Sequence, residues 1–261
     1  MKLWTAGEDP LVTAIVCCYN KLDFVERAVE SIIAYKGVAD EDIHCVLWDQ
    51  ESPYPGVKEY LEKVNEETGD WLEVRGFGFN CGVGAALNHV IEDTKSKYIF
   101  KFDDDCALLP FTLPLLLIAH SLAGSCGFPL AVLSADVLGV GKAQGELTEY
   151  ELWPGLILQC TWCVGGGAVL IPRRVIEDVG PFRADRLYGV EDGDFAYRAV
   201  QKGYMNAYLK EVYHVSFCRG EHADPQIDAW KLEYHANKTD LPFDKWRLAK
   251  TFDGGFIDRG E

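Results

Sequence analysis

Three aspartates in a row, Asp103-Asp104-Asp105, follow the apolar run Tyr98-Ile99-Phe100-Lys101-Phe102. Adjacent carboxylates repel one another, and full ionisation needs a cation or several hydrogen-bond donors to offset that repulsion. A hard divalent ion such as Mg²⁺ or Mn²⁺ takes a few carboxylate oxygens and completes its shell with water and phosphate. The run therefore suggests a metal–diphosphate site at Asp103 and Asp105. A solvated acidic loop with capping aspartates is the plainer explanation, and the residues alone leave both open. A second acidic cluster, Glu191-Asp192-Gly193-Asp194, precedes a helical pattern. Capping explains Asp192 there, because unpaired N–H groups and the helix dipole stabilise acids at a helix start. Asp194 and Arg198 have the spacing of an ordinary i,i+4 ion pair.

Other candidates carry less. The glycine-rich stretch from Gly76 to Gly84 lacks the G-x-G-x-x-G spacing and follows a third strand rather than the first, which weakens a Rossmann oxidoreductase reading. Gly165-Gly166-Gly167 either lets backbone approach a ligand or turns the chain tightly. Cys160-Thr161-Trp162-Cys163 has no second cysteine pair for zinc and no strand–helix setting for redox work. His214 after a short apolar run reads as a core histidine when taken alone.

These residues need elements to hold them. Leu11 to Cys18 is a continuous apolar run rich in β-branched residues, as in a strand buried on both faces. Leu22 to Ile33 then follows helical spacing up to Gly37. A strand at 43–48, a helix from Val57 to Val64, a strand at 72–75, a helix near 85–91 and a strand at 98–102 continue the alternation. That order predicts right-handed crossovers and a parallel sheet covered on both faces. Such sheets bind ligands beyond the carboxyl ends of their strands, where Asn20, Asp49 and Asp103–Asp105 all fall. Later strands are predicted at 131–135 and 165–171, and helices at 173–179 and 192–202. Residues 221–261 read as a C-terminal arm.

The chain has 261 residues, enough for one large domain with a substantial core. Its 25 Lys and Arg against 41 Asp and Glu leave a net charge of −16. That argues against a broad grip on nucleic acid or on an anionic membrane surface, while leaving room for a local basic patch. Nine cysteines, an odd number, suit a reducing, cytoplasmic setting better than a disulfide framework. The N-terminus has no signal-peptide core. The apolar stretch from Ala107 to Gly124 is broken by Pro110, Pro114 and His120 and reads as buried rather than membrane-spanning.

In order along the chain, several segments resemble the family-2 glycosyltransferases of the GT-A fold: Val12 to Asn20, Trp48-Asp49-Gln50-Glu51-Ser52, Asn80 to Asn88, Phe102-Asp103-Asp104-Asp105, Gly165 to Ala168 with Arg173-Arg174, and Glu191-Asp192-Gly193-Asp194 running into Arg198. The resemblance covers most of residues 10–220. It implies an α/β GT-A fold with a Rossmann-like, mostly parallel sheet in a single domain over 1–261. Residues 10–106 would bind nucleotide-sugar and 107–220 would face the acceptor. It also implies a nucleoside-diphosphate sugar donor, Mn²⁺ or Mg²⁺ as cofactor, and inverting transfer of one sugar to a hydroxyl of a glycan, lipid-linked sugar or small molecule. By position, Tyr19, Asn20, Asp49, Asn80, Asp103 and Asp104 would contact the donor. Asp103 and Asp105 would hold the metal, with His214 in the place of a late ligand. Asp192 would be the general base and Glu191 would hold the acceptor side. The chain departs from the family at Gln50-Glu51, and it lacks the Q-x-x-R-W signature and membrane helices of processive synthases.

Two other readings compete. A nucleotidyltransferase would want a glycine- and lysine- or arginine-rich loop after the first strand, and Cys17 to Lys21 contains no glycine. A catalytically silent GT-A-like binding module would be expected to lack Asp105 or Asp192, and both are present. A tryptophan such as Trp153 or Trp162 could stack on a sugar, although burial is the commoner outcome.

Overall fold

The computed structural model describes residues 9–138 and 147–217, save 186, 188 and 190. The expected C-terminal arm therefore lies outside the described residues. The first half alternates as anticipated: β1 Val12–Cys18, α1 Leu22–Tyr35, β2 Ile43–Asp49, α2 Val57–Glu67, β3 Leu72–Gly76, α3 Val83–Asp93 and β4 Tyr98–Asp103. Then come β5 Cys106–Leu108, α4 Thr112–Ser125, β6 Leu130–Val137, β7 Thr148–Trp153, β8 Leu156–Thr161, β9 Ala168–Pro172, α5 Arg173–Val179, α6 Glu191–Gln201 and β10 Met205–Ser216.

One sheet runs β3-β2-β1-β4-β9-β6-β10-β8-β7, with β5 on β10. Its first four strands are parallel, as the strand–helix alternation requires. β9 then enters antiparallel to β4, and beyond it antiparallel pairs join the parallel β6–β10 pair.

The period of two explains why both faces are apolar. Val12, Ala14, Val16 and Cys18 of β1 join one core with Val25 and Ile32 of α1, Leu61 of α2 and Leu116 of α4. Ile15 joins the other, with Val90 of α3, Val175 of α5 and Phe195 of α6. On β4, Tyr98, Phe100 and Phe102 face the first core and Ile99 the second. By the same alternation Lys101 and Asp103 point toward the α6 side. The stretch from Ala107 to Gly124 resolves into the short β5 and α4, whose Leu113, Leu116 and Ala119 are buried. No helix among the described residues is long and apolar enough to cross a membrane.

The strand register sets the site. Cys18 pairs with Asp49, Asp49 with Gly76, and Cys17 with Asp103, so the parallel strands end at one level. β9 begins there too, opposite Phe102, with the Asp103 N–H donating to the Gly167 carbonyl at 3.0 Å. Trp153, in the β7–β8 hairpin, is 65% exposed, against the burial expected of a tryptophan. An edge hairpin has core on one side only, so an outward-facing residue stays wet whatever its size.

Candidate active site

Beyond the strand ends lies a cavity of about 510 Å³. It brings together Tyr19, Asn20, Asn80, Asp103, Asp104, Asp105, Glu191 and Asp192, eight of the ten residues singled out by sequence. Asp49 and His214 do not line it. Asp49 closes β2 as expected, but its Oδ1 accepts the Glu51 N–H at 2.8 Å and shapes the turn in which Glu51 has a φ of 52°. Burial holds the Asp49 carboxyl above the usual range, while the Glu51 N–H works the other way. His214 is buried on β10. A Cβ on Gly167 would meet its Nε2 at 2.5 Å and Cys106 Sγ at 3.0 Å.

The three aspartates have separate environments. Asp104 turns back into the protein: its Oδ2 accepts the N–H groups of Tyr19 at 2.6 Å and Asn20 at 2.8 Å, and its Oδ1 accepts Asn20 Nδ2 at 2.5 Å. It therefore fastens the β1–α1 turn to the end of β4. Burial raises its pKa to about 6, with Asp105 adding repulsion and the three donors opposing. Asp105 is buried, its Oδ1 3.5 Å from Cys106 Sγ. Asp103 is more open and meets Lys101.

Lys101 is the residue the sequence reading passed over. Its side chain is 4% exposed, and Nζ donates to Asp103 Oδ1 at 2.6 Å, the Gly166 carbonyl at 3.0 Å and Asp192 Oδ2 at 3.2 Å. One buried cation thus joins the end of β4 to the start of α6. Its signal was a lone charge inside an apolar strand, which is costly unless partnered. Burial pushes the Asp192 carboxyl up to about 7; Lys101 opposes, while Glu191 and Asp103 add to the rise. Glu191 is buried and its Oε2 accepts the Gly189 N–H at 2.9 Å. The expected Asp194–Arg198 pair is present at 2.8 Å, and Arg198 also donates to the carbonyls of Val179 and Pro181.

The glycine run has a reason in packing. A Cβ on Gly166 would collide with Asp192 Oδ2 and lie 2.9 Å from Lys101 Nζ. The close approach is thus made by the protein's own charged side chains.

Gln50 is a second residue that sequence reasoning left without a role. It is 2% exposed and lines the cavity. Its Oε1 accepts the Cys81 N–H at 3.0 Å, which fixes the amide, and Nε2 has no partner among the described residues. Ser52 Oγ donates to the carbonyls of Tyr19 and Asn20, tying the two loops together. Cys17 and Cys163 also line the cavity, but burial lifts both thiols well above their ordinary range, Cys163 to about 12. Neither is poised as a nucleophile. The described cysteines, Cys160 and Cys163 included, are free.

Among the described residues, no three His, Cys, Asp or Glu side chains converge as a self-sufficient metal cage. What the cavity offers a hard cation is Asp103 and Asp105. That donor set fits an ion that draws its remaining ligands from substrate phosphate and water.

Residues 13–121 match the family model described as "Glycosyl transferase family 2". No curated protein matches the chain. Among solved structures, the mannosyltransferase PcManGT from Pyrobaculum calidifontis, in complex with GDP-Man and Mn²⁺, aligns with a TM-score of 0.64 at 17% identity, covering 93% of this chain and 69% of that one. S. aureus TarS 1-349 in complex with UDP-GlcNAc gives 0.61 at 16% identity, over 92% and 70%. GalNAc-T7 with UDP, GalNAc and Mn²⁺ gives 0.64 at 14% identity, over 83% of this chain and 45% of that one. At such identities the likeness speaks for the fold. Residues 13–121 are thus similar to glycosyl transferase family 2, and the described residues share the GT-A fold of these glycosyltransferase structures.

Proposed function

We propose that this chain moves one sugar from a nucleoside-diphosphate sugar to an acceptor hydroxyl in a single inverting displacement. The observation that carries the reading is the placement of Asp192 across one cavity from Asp103 and Asp105, with Lys101 between them. The acceptor oxygen bonds to the anomeric carbon as the bond from that carbon to the diphosphate oxygen breaks. The acceptor proton passes to Asp192. Lys101 engages Oδ2 of that carboxylate, which leaves Oδ1 for the acceptor proton. A positioned base of this kind contributes roughly 10²–10⁴ in rate. Glu191, buried beside it, holds the loop that faces the acceptor.

On the donor side, Asp103 and Asp105 would hold Mn²⁺ or Mg²⁺, which when bound stabilises the charge that develops on the leaving diphosphate. His214, buried near Cys106, does not line the cavity in the described residues; it joins this reading only as a late ligand beyond the two carboxylates, and unchanged metal affinity of His214→Ala removes it. Tyr19, Asn20 and Asn80 border the nucleoside end of the cavity. The base or ribose contact expected of Asp49 is shared with Gln50, whose open amide Nε2 suits a carbonyl acceptor. The bound GDP-Man of one structural relative and UDP-GlcNAc of another support the donor class.

A thermal-shift panel of UDP, GDP, dTDP and CDP, each with Mn²⁺ and with EDTA, is the test. A ligand at about 100 times its Kd adds roughly 2.7 kcal/mol, a rise of a few degrees in Tm. Stabilisation by one nucleotide only with metal supports the site and names the base. No shift with any of them, from well-folded protein, supports a silent module or a non-nucleotide donor instead. Asp192→Asn should keep the shift and lose transfer; near-normal turnover moves the base elsewhere.

A further inference from the structure

At the opposite end of β4 from Asp103 lies a second depression, of about 490 Å³. Tyr98 opens the strand and Asp103 closes it, so the two sites stand roughly 17 Å apart along the strand. Lys95, Lys97, Arg173 and Arg174 surround it, with Glu177 the carboxylate on its wall. Asp9 is the other acid that Arg173 feels. Four cations against two carboxylates leave a local charge of +2, which offsets that of one phosphate dianion.

This is unusual in a chain with 41 acids and 25 basic residues. Many of the other described cations sit against carboxylates, as Lys36 does with Asp40, Arg75 with Asp93, Arg198 with Asp194 and Lys210 with Glu149. Here Arg173 spends its donors on neutral groups: Nε on the Ser96 carbonyl at 2.7 Å, and its terminal nitrogens on the Ile91 carbonyl at 2.8 Å and Thr94 Oγ1 at 3.0 Å. Its charge is thereby fixed at the rim with no carboxylate among its hydrogen-bond partners. Lys95, Lys97 and Arg174 are exposed around it. Buried His120 reports the field: burial pushes its pKa down to about 4, and Arg174 and Lys97 push the same way.

We propose that this depression binds a phosphate group, with Lys97 and Arg174 as its charged donors around a rim fixed by Arg173. The chemistry is shared by free phosphate and by the headgroup of an anionic phospholipid. It is independent of the transferase reading, because none of these residues borders the catalytic cavity.

The full chain is titrated with inorganic phosphate by calorimetry, against chloride at the same ionic strength, and sedimented with phosphatidylcholine vesicles with and without phosphatidylglycerol. Binding in the phosphate arm alone identifies a small-ligand site, and binding only to the anionic vesicles identifies a headgroup site. Either supports the proposal if the double variant Lys97→Gln/Arg174→Gln weakens it about tenfold or more, the loss of charge-assisted hydrogen bonds. Asp105→Ala, which disturbs the other cavity, should leave that binding unchanged. No binding above chloride and neutral vesicles, or binding that the double variant retains, overturns it.

Discussion

Lys101 stands between two carboxylates that the proposed chemistry keeps apart in role, and this decides how the site responds to pH. Burial holds Asp192 at about 7, and Lys101 restrains that rise. A base must be ionised to act, so kcat/KM should climb about tenfold per pH unit below 7 and level off above it. Lys101→Met removes the restraint, and the limb should move to higher pH. A profile that stays in place would mean that another group is the base. Gln50 makes a separate prediction. Gln50→Ala leaves the acids proposed for catalysis untouched but removes a buried donor from the proposed donor end of the cavity. Nucleoside diphosphate Kd should rise about tenfold, the cost of one hydrogen bond at about 1.4 kcal/mol. Isothermal titration checks this, and an unchanged Kd would return the contact to Asp49.

Elements meet at this site because small residues let them. α3 packs against the 180s loop at Gly84, where a Cβ would collide with the Arg183 carbonyl. Asn88 on the same helix donates to the Phe182 carbonyl and accepts its N–H, both at 2.8 Å, in the manner of a paired strand. The segment before β9 meets α6 at Gly166. Gly166→Ala should therefore push Asp192 off its position. A misplacement near 1 Å costs on the order of 10² in rate, and overpacking costs about 1–3 kcal/mol of stability. Steady-state kinetics beside a melting curve separates the two; normal kcat would show that Asp192 tolerates the shift. Asp104 does the corresponding work for the β1–α1 turn, and so its carboxylate belongs to the frame of the cavity more than to its contents.

Among the described residues the two large cores lie on opposite faces of one continuous sheet, and both draw on each half of the chain. β4 is paired on one edge with β1 and on the other with β9, from beyond residue 160. Calorimetry should accordingly show one cooperative transition for the chain. A fragment ending at residue 125, just past the family-matched segment, would expose the β4 edge and strip Val175 and Phe195 from the second core. It should show no cooperative melting, and a sharp transition from it would mean that the first half is an independent domain.

The sequence by itself determined the alternation of β1 to β4 with α1 to α3, since local periodicity and burial on both faces write themselves into residue order. It also located the acidic clusters at strand and helix ends, because chain direction alone fixes which end of a parallel strand they occupy. Antiparallel β9 beside β4 was not legible: pairing partners such as Tyr98 and Pro172, far apart along the chain, leave no local mark. Nor was the splitting of three adjacent aspartates into frame and site, the exposure of Trp153, or the bridge from Lys101 to Asp192. Those depend on which side chains are brought within hydrogen-bond reach across the sheet, and only the tertiary structure sets that distance.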